Sequence, residues 1–293
     1  MYTIYMYFVK AKSILSSQNG MNIYRGCSHG CIYCDSRSIC YQTPIPFENI
    51  EVKENCVELL DSALKSKRKK CMIGTGSMCD SYMPCETSLK LFRKCLEVIE
   101  KNKFGVTILT KSDLILRDID LIEKINKNSK AVVQMTLTTF DDELCKIIEP
   151  NVCVTSKRVE VLKECYKRNI PTVVWMSPFL PYINDTFENL SGLLGYCLGA
   201  KVKGIINFGI GLTLREGNRE YFYSELDKHF PNLKNRYINE YKNSYEVTSS
   251  KNNELMAYFY SVCKKNKILC NINDVFSYLH EFPQQEDFQG RLF

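Results

Sequence analysis

The sequence predicts a partial (β/α)6, TIM-like barrel with a helical C-terminal extension. Three observations predict it. Short β-type runs alternate with helical runs from about residue 20 to 210, which argues for parallel strands joined by helical crossovers. The units so formed number six, too few to close an eight-stranded barrel and ample for an open, curved sector of one. From about residue 217 the pattern turns helical and aromatic-rich, beginning REYFYSELDKHF and ending HEFPQQEDFQGRLF. No Pro/Gly/Ser linker precedes that change and no internal repeat of fixed period is evident. The expected organisation is an N-terminal extension over residues 1–19, a barrel core over 20–216 and an extension over 217–293 packed on the core.

Taken in order, the expected strands lie near MNIYRG, KCMIGTG, FGVTILT, AVVQMTL, TVVWMSP and GIINFG. Each is short, rich in β-branched or aromatic residues and bounded by turn formers. Between them NCVELLDSALK, SLKLFRKCLEVIE, IDLIEKIN, SKRVEVLKECYKR and FENLSGLLGYCLG space their apolar residues as helices do. The series Leu89, Phe92, Leu96, Ile99 is the clearest case. Alternation in AVVQMTLT sets Gln134, Thr136 and Thr138 on one face; if that face is inward, the barrel interior is polar and suits a cofactor better than a packed core.

A chain of 293 residues with 45% hydrophobic composition buries a large core, and nothing in it is collagenous or low-complexity. No secretory signal pattern or bilayer-length apolar run is present, so a cytoplasmic protein without a membrane partner is expected. Fifteen cysteines, an odd count scattered singly apart from one cluster, read as reduced thiols. Cys95, Cys165 and Cys263 fall in periodic helical segments and read as small packing residues. The net charge of +6 favours anionic partners without requiring nucleic acid. The run KSKRKK at 65–70 reads as a solvated helix end.

The cluster is NIYRGCSHGCIYCDSRS, residues 22–38, with Cys27, Cys31 and Cys34 at C-x3-C-x2-C spacing. A loop after the first strand with that spacing brings three sulfurs onto one face of a four-iron cube and leaves the fourth iron open to a small molecule. Zinc with a distant fourth ligand, and chance clustering in a cysteine-rich chain, are the alternatives. The second strand exit, GTGSMCDSYMPCE, lets backbone approach a ligand at Gly74 and Gly76, or is an ordinary glycine turn before a helix whose first turn holds Glu86. Lys111 ends the third strand in LTKS, as a ligand contact or a surface lysine. Asn184, Asp185, Arg215, Asn218 and Arg219 fall at the expected rim without an assigned role.

The cysteine spacing, with aromatic Tyr33 just before the third cysteine, resembles the signature of the radical S-adenosylmethionine (SAM) enzymes. AKSILS, NIYRGCSHGCIYC, IGTGSMCDSYMPCE, LTKSDLILRDIDLI, TLTTFDDELCKIIEP and SPFLPYIND together resemble the spore photoproduct lyase-like family over roughly residues 10–215. The resemblance implies a barrel of the radical SAM type, a [4Fe–4S] cluster on Cys27, Cys31 and Cys34, and SAM on its open iron. It implies reductive cleavage to a 5′-deoxyadenosyl radical that takes hydrogen from a substrate, with nucleic acid as one substrate class. It further implies SAM contacts from Tyr33, Gly74, Thr75, Gly76, Ser77 and Lys111, to which the polar strand face adds Thr136, and an electron donor such as flavodoxin or ferredoxin. Cys79 lies near the position of a hydrogen-donating cysteine in the lyase, although aligning Asp80 with the family's aspartate brings Ser77 closer to it. Asp35 departs from the tyrosine that relatives carry after the third cysteine, which argues against thymine-dimer repair. A peptide- or protein-modifying radical enzyme is a second reading, without an auxiliary-cluster pattern, since only Cys263 and Cys270 follow residue 217. A non-catalytic iron–sulfur or zinc protein is a third. The end QGRLF resembles a sliding-clamp docking peptide, matching at Gln289, Leu292 and Phe293 and departing at Gly290 and Arg291.

Overall fold

The computed structural model describes residues 5–44 and 46–283. The expected clamp-docking residues Gln289, Leu292 and Phe293 lie outside the described residues.

The first barrel strand departs from expectation. Instead of one strand over MNIYRG, Gly20–Met21 (β2) joins the barrel sheet while Tyr24–Arg25 (β3) leaves it. The chain bends between them because its two halves pair with different strands, Gly20–Met21 with the barrel and Tyr24–Arg25 outside it, while Ile23 and Tyr24 both stay buried. β3 pairs antiparallel with Ile50–Lys53 (β4), which also pairs in parallel with Met6–Val9 (β1), a strand in the segment expected to be an extension.

The barrel follows as Cys56–Ser66 (α1), Met72–Thr75 (β5), Glu86–Leu89 (α2), Leu91–Lys101 (α3), Gly105–Thr110 (β6), Ile119–Asn128 (α4) and Ala131–Thr136 (β7). Asp142–Ile148 (α5), Thr155–Lys167 (α6), Thr172–Trp175 (β8), Phe187–Gly199 (α7) and Gly204–Ile206 (β9) complete it. Helix α5, not expected from the sequence, starts where Asp141 accepts hydrogen bonds from the N–H groups of Glu143 and Leu144. The six strands run parallel in the order β2-β5-β6-β7-β8-β9, so the fold is the partial barrel.

Side-chain alternation divides the strands cleanly. Val106, Ile108, Val133, Met135, Val174 and Ile205 join one apolar cluster with the helices. On the other face Gln134 donates to the Thr107 hydroxyl and accepts from Trp175 Nε1 at 2.7 Å, so part of the interior is polar. The rest is apolar and is plugged by the chain's C-terminal part.

That part consists of Gly211–Thr213 (β10), Asn218–His229 (α8), Leu233–Tyr241 (α9), Glu246–Thr248 (β11), Asn252–Lys265 (α10) and Ile272–His280 (α11). Val275 and Leu279 of α11 pack on Val132, Val173 and Ile206. Lys130 Nζ donates to the carbonyls of Tyr278 (2.6 Å) and Glu281 (2.8 Å), placing a cation at the negative end of that helix. β10 and β11 pair antiparallel across the expected 216/217 boundary. Among the described residues no helix is long and apolar enough to cross a membrane.

Candidate active site

The cysteine loop leaves β3 through Gly26, whose φ of +83° and whose approach to the Asn49 carbonyl leave no room for a side chain. Cys27 N–H donates to Phe47 O at 3.0 Å. The end of α5 and the residues after it then clamp the loop. Ile32 N–H donates to Ile148 O (3.0 Å), Asn151 N–H to His29 O (3.1 Å) and Asn151 Nδ2 to Ser28 O (2.9 Å). Cys27 and Cys31 are buried, Cys34 is half-buried, and all three thiols are free. Burial, then the neighbouring Cys34 and Cys31, push the Cys27 thiol up. Among the described residues no three His, Cys, Asp or Glu side chains converge closely enough to hold a single metal ion.

Beneath the loop lies a charge network that sequence reasoning missed. Tyr33 OH donates to Glu149, and Glu149 pairs with Arg158 at 2.6 Å, both side chains fully buried. Arg158 also donates to the carbonyls of Cys153 (2.9 Å) and Thr136 (3.0 Å). Burial alone would raise the Glu149 carboxyl, but Arg158 and then Lys111 hold it below the usual carboxylate range. Burial works against the Lys111 ammonium as well, and Cys31 and Glu149 beside it hold its pKa up. Lys111 is thus a charged, half-buried lysine 6.0 Å over the Tyr33 ring.

Asp80 ties the second strand exit to the third. It accepts from Tyr82 N–H (2.8 Å), Thr110 Oγ1 (2.7 Å) and Lys111 N–H (2.7 Å), with His29 Nδ1 at 3.7 Å. Gly76 has φ of +89° and abuts the Leu109 carbonyl, while a Cβ on Gly74 would meet open space. Thr75 Oγ1 is buried without a partner.

A cavity of about 980 Å³ opens above these loops. Tyr33, Cys34, Asp35, Ser77 and Lys111 line it, so two of the four Gly74–Ser77 expectations divide into backbone turn and cavity wall. Thr136 is buried, its carbonyl held by Arg158, and it does not line the cavity. Nor does Cys79 line it. Its thiol donates to Tyr24 O at 3.0 Å and burial pushes it up to about 12. The rim residues turn out to be braces. Asn184 Nδ2 holds Thr138 O at 2.8 Å, Asp185 accepts from Ser249 Oγ at 2.5 Å, Asn218 Nδ2 holds Thr213 O, and Arg219 holds Leu214, Asn243 and Ser244 carbonyls. Arg215 lies 3.5 Å from Asp35, which accepts from Tyr41 OH at 2.8 Å. The opposite wall comes from the extension: Tyr245–Thr248, Asn252, Met256 and Tyr260. Nothing in their sequence marks them, since only the β10–β11 pairing brings them over the barrel.

Residues 21–194 of the chain match the sequence profile of the Radical SAM superfamily. The chain belongs to the radical SAM superfamily. It is therefore an enzyme that uses a [4Fe–4S] cluster and SAM and needs a reductant. This radical SAM protein is 32% identical over 234 residues to an uncharacterized protein of Methanocaldococcus jannaschii, covering 79% of each chain. It is 28% identical over 230 residues to an uncharacterized protein of Mycobacterium tuberculosis, covering 76% of this chain and 66% of that one. Among solved structures, a point variant of spore photoproduct lyase superposes with a TM-score of 0.64 at 12% identity, over 90% of this chain and 79% of that one. The same lyase complexed with dinucleoside spore photoproduct gives 0.64 at 11% identity, over 90% and 80%. At such identities the likeness is one of fold.

Proposed function

We propose that Cys27, Cys31 and Cys34 hold the [4Fe–4S] cluster, and that SAM binds beside it against Tyr33, Ser77 and Lys111 for hydrogen abstraction from a substrate in the same cavity. The observation that carries this reading is that the loop of three free thiols and the charged Lys111 open onto one cavity, Cys34 and Lys111 both lining it. When bound, the two groups supply reductive carbon–sulfur cleavage and a 5′-deoxyadenosyl radical.

The chain's own residues orient and shield. Lys111 offers an ammonium to a carboxylate, and its backbone is fixed by Asp80. Thr75 Oγ1 is a buried hydroxyl still without a partner. Glu149 and Arg158 set the Tyr33 ring beneath the loop. The reductant proposed is a small carrier such as flavodoxin or ferredoxin. A nucleic-acid substrate is the class that likeness to the lyase brings forward. The charged residues of the cavity wall, Lys111 against Asp35 and Glu246, give a phosphate backbone little to bind.

The test is anaerobic reconstitution with iron and sulfide, followed by SAM and dithionite. Four irons per chain, a [4Fe–4S] resonance in electron paramagnetic spectra and 5′-deoxyadenosine are expected. The Cys27→Ala/Cys31→Ala/Cys34→Ala variant should lose all three; a full signal in that variant overturns the ligand assignment.

A further inference from the structure

We infer that the outer edge of β11 is a docking edge for an extended peptide, a segment of neutral or basic character, which it lays across the mouth of the cavity. The inference rests on the reading of that cavity as the active site and names its substrate class.

The pairing of β10 with β11 fixes which main-chain groups are free. Ser249 N–H donates to Ile210 O at 2.8 Å and Leu214 N–H to Tyr245 O at 2.9 Å. In an antiparallel ladder hydrogen-bonded pairs recur every second residue, so Leu212 with Val247 is the bonded pair between them. Gly211 with Thr248 and Thr213 with Glu246 are then non-bonded pairs, whose N–H and C=O groups point away from the ladder. On the β10 side those carbonyls are used: Gly211 O accepts from Phe179 N–H and Thr213 O from Asn218 Nδ2. On the β11 side Glu246 O accepts from Ser244 Oγ at 2.7 Å. Among the described residues the N–H of Glu246 and both the N–H and C=O of Thr248 have no partner. Glu246 and Thr248 are exposed, Val247 is anchored in the core, and all three line the cavity.

A strand edge with an open N–H and C=O on one residue is a template for another extended chain. Charge selects the occupant. Asp35 is matched by Arg215, which leaves the Glu246 carboxylate without an ion pair among the described residues, on the edge itself. A phosphate backbone would be repelled there, whereas a neutral or lysine- or arginine-bearing peptide would not. The rings of Tyr245, Phe208 and Tyr260 line the same cavity and offer apolar surface to side chains of a bound strand.

Proline separates this role from a structural one. Because Thr248 N–H points out of the ladder, Thr248→Pro removes the docking donor and keeps every β10–β11 hydrogen bond. Glu246→Pro does the same one pair along, and Thr248→Ala keeps the donor while removing the side chain. Reconstituted holoenzyme with SAM is panned anaerobically against a displayed library of unstructured dodecapeptides. The enriched sequence is then labelled with fluorescein and titrated by anisotropy, beside a labelled mixed-sequence single-stranded oligodeoxynucleotide. Expected are peptide binding by wild type and Thr248→Ala, and binding roughly three- to tenfold weaker in each proline variant, as the loss of one hydrogen bond implies. Iron content and melting midpoint serve as fold controls, and the two proline sites guard against one variant misfolding. No enrichment, undiminished binding by both proline variants, or binding of the oligonucleotide alone would each overturn the inference. Formation of 5′-deoxyadenosine by wild type is measured in the same preparation. Its absence would refute the catalytic reading, whereas cleavage without peptide capture refutes the peptide edge alone.

Discussion

Replacing Arg158 by Met tests whether the buried network under the cysteine loop holds that loop in place. The guanidinium is fully buried, 2.6 Å from Glu149 and bonded to the carbonyls of Cys153 and Thr136. Methionine fills much of the same space, so the main loss is electrostatic: Glu149 keeps its charge, buried, with Tyr33 OH and the more distant Lys111. Breaking one side of a buried pair costs about 3–5 kcal/mol, a large part of the roughly 5–15 kcal/mol that holds a domain together. Replacing both charges removes the stranded carboxylate, so Glu149→Leu/Arg158→Met should be more stable than Arg158→Met alone. The assay is anaerobic urea unfolding of the cluster-free protein with reductant, which keeps cluster loss out of the measurement. The acid limb gives an independent check. Because the Glu149 carboxyl is held below its ordinary range, its stabilisation is present above the unfolded value of about 4.3 and is lost as pH falls through the lower folded value. Glu149→Gln should therefore flatten acid unfolding. A loss under about 1 kcal/mol in Arg158→Met, or a double variant as unstable as the sum of its singles, would refute the reasoning.

Lys111→Met should weaken SAM binding to the reconstituted enzyme by about 1–3 kcal/mol, the worth of a charged hydrogen bond, and unchanged affinity in anaerobic calorimetry would refute the contact. Gly76→Ala places a side chain at φ +89° against the Leu109 carbonyl. It should cost about 1–3 kcal/mol in urea unfolding, and a wild-type midpoint would show that the turn relaxes. Cys79→Ala should lower stability by about 1 kcal/mol through lost packing and leave the product distribution unchanged once a substrate is in hand; an altered distribution would show Cys79 acting as a donor.

The cysteine loop, the alternating βα units and the strand exits at Gly76 and Lys111 were legible in the sequence because each is local. A C-x3-C-x2-C spacing, a glycine at positive φ and a run such as GVTILT carry their meaning within a few residues. Arg158 could not be read that way. It stands in TSKRVEVLKECYK, where a charged residue on a helix ordinarily faces water, and only the docking of α5 and the cysteine loop turns it inward toward Glu149. The break between β2 and β3 was equally hidden, because MNIYRG has the composition of one strand and its two halves find different partners, β5 and β4, far along the chain. The far wall of the cavity is the most distant consequence of tertiary structure. Tyr245–Thr248 fall in a segment expected to be helical, and only Gly211–Thr213 supplies the strand against which they pair. Sequence therefore determined the cofactor chemistry, which rests on short-range spacing, while the far wall of the cavity was decided by contacts between segments that only the folded chain brings together.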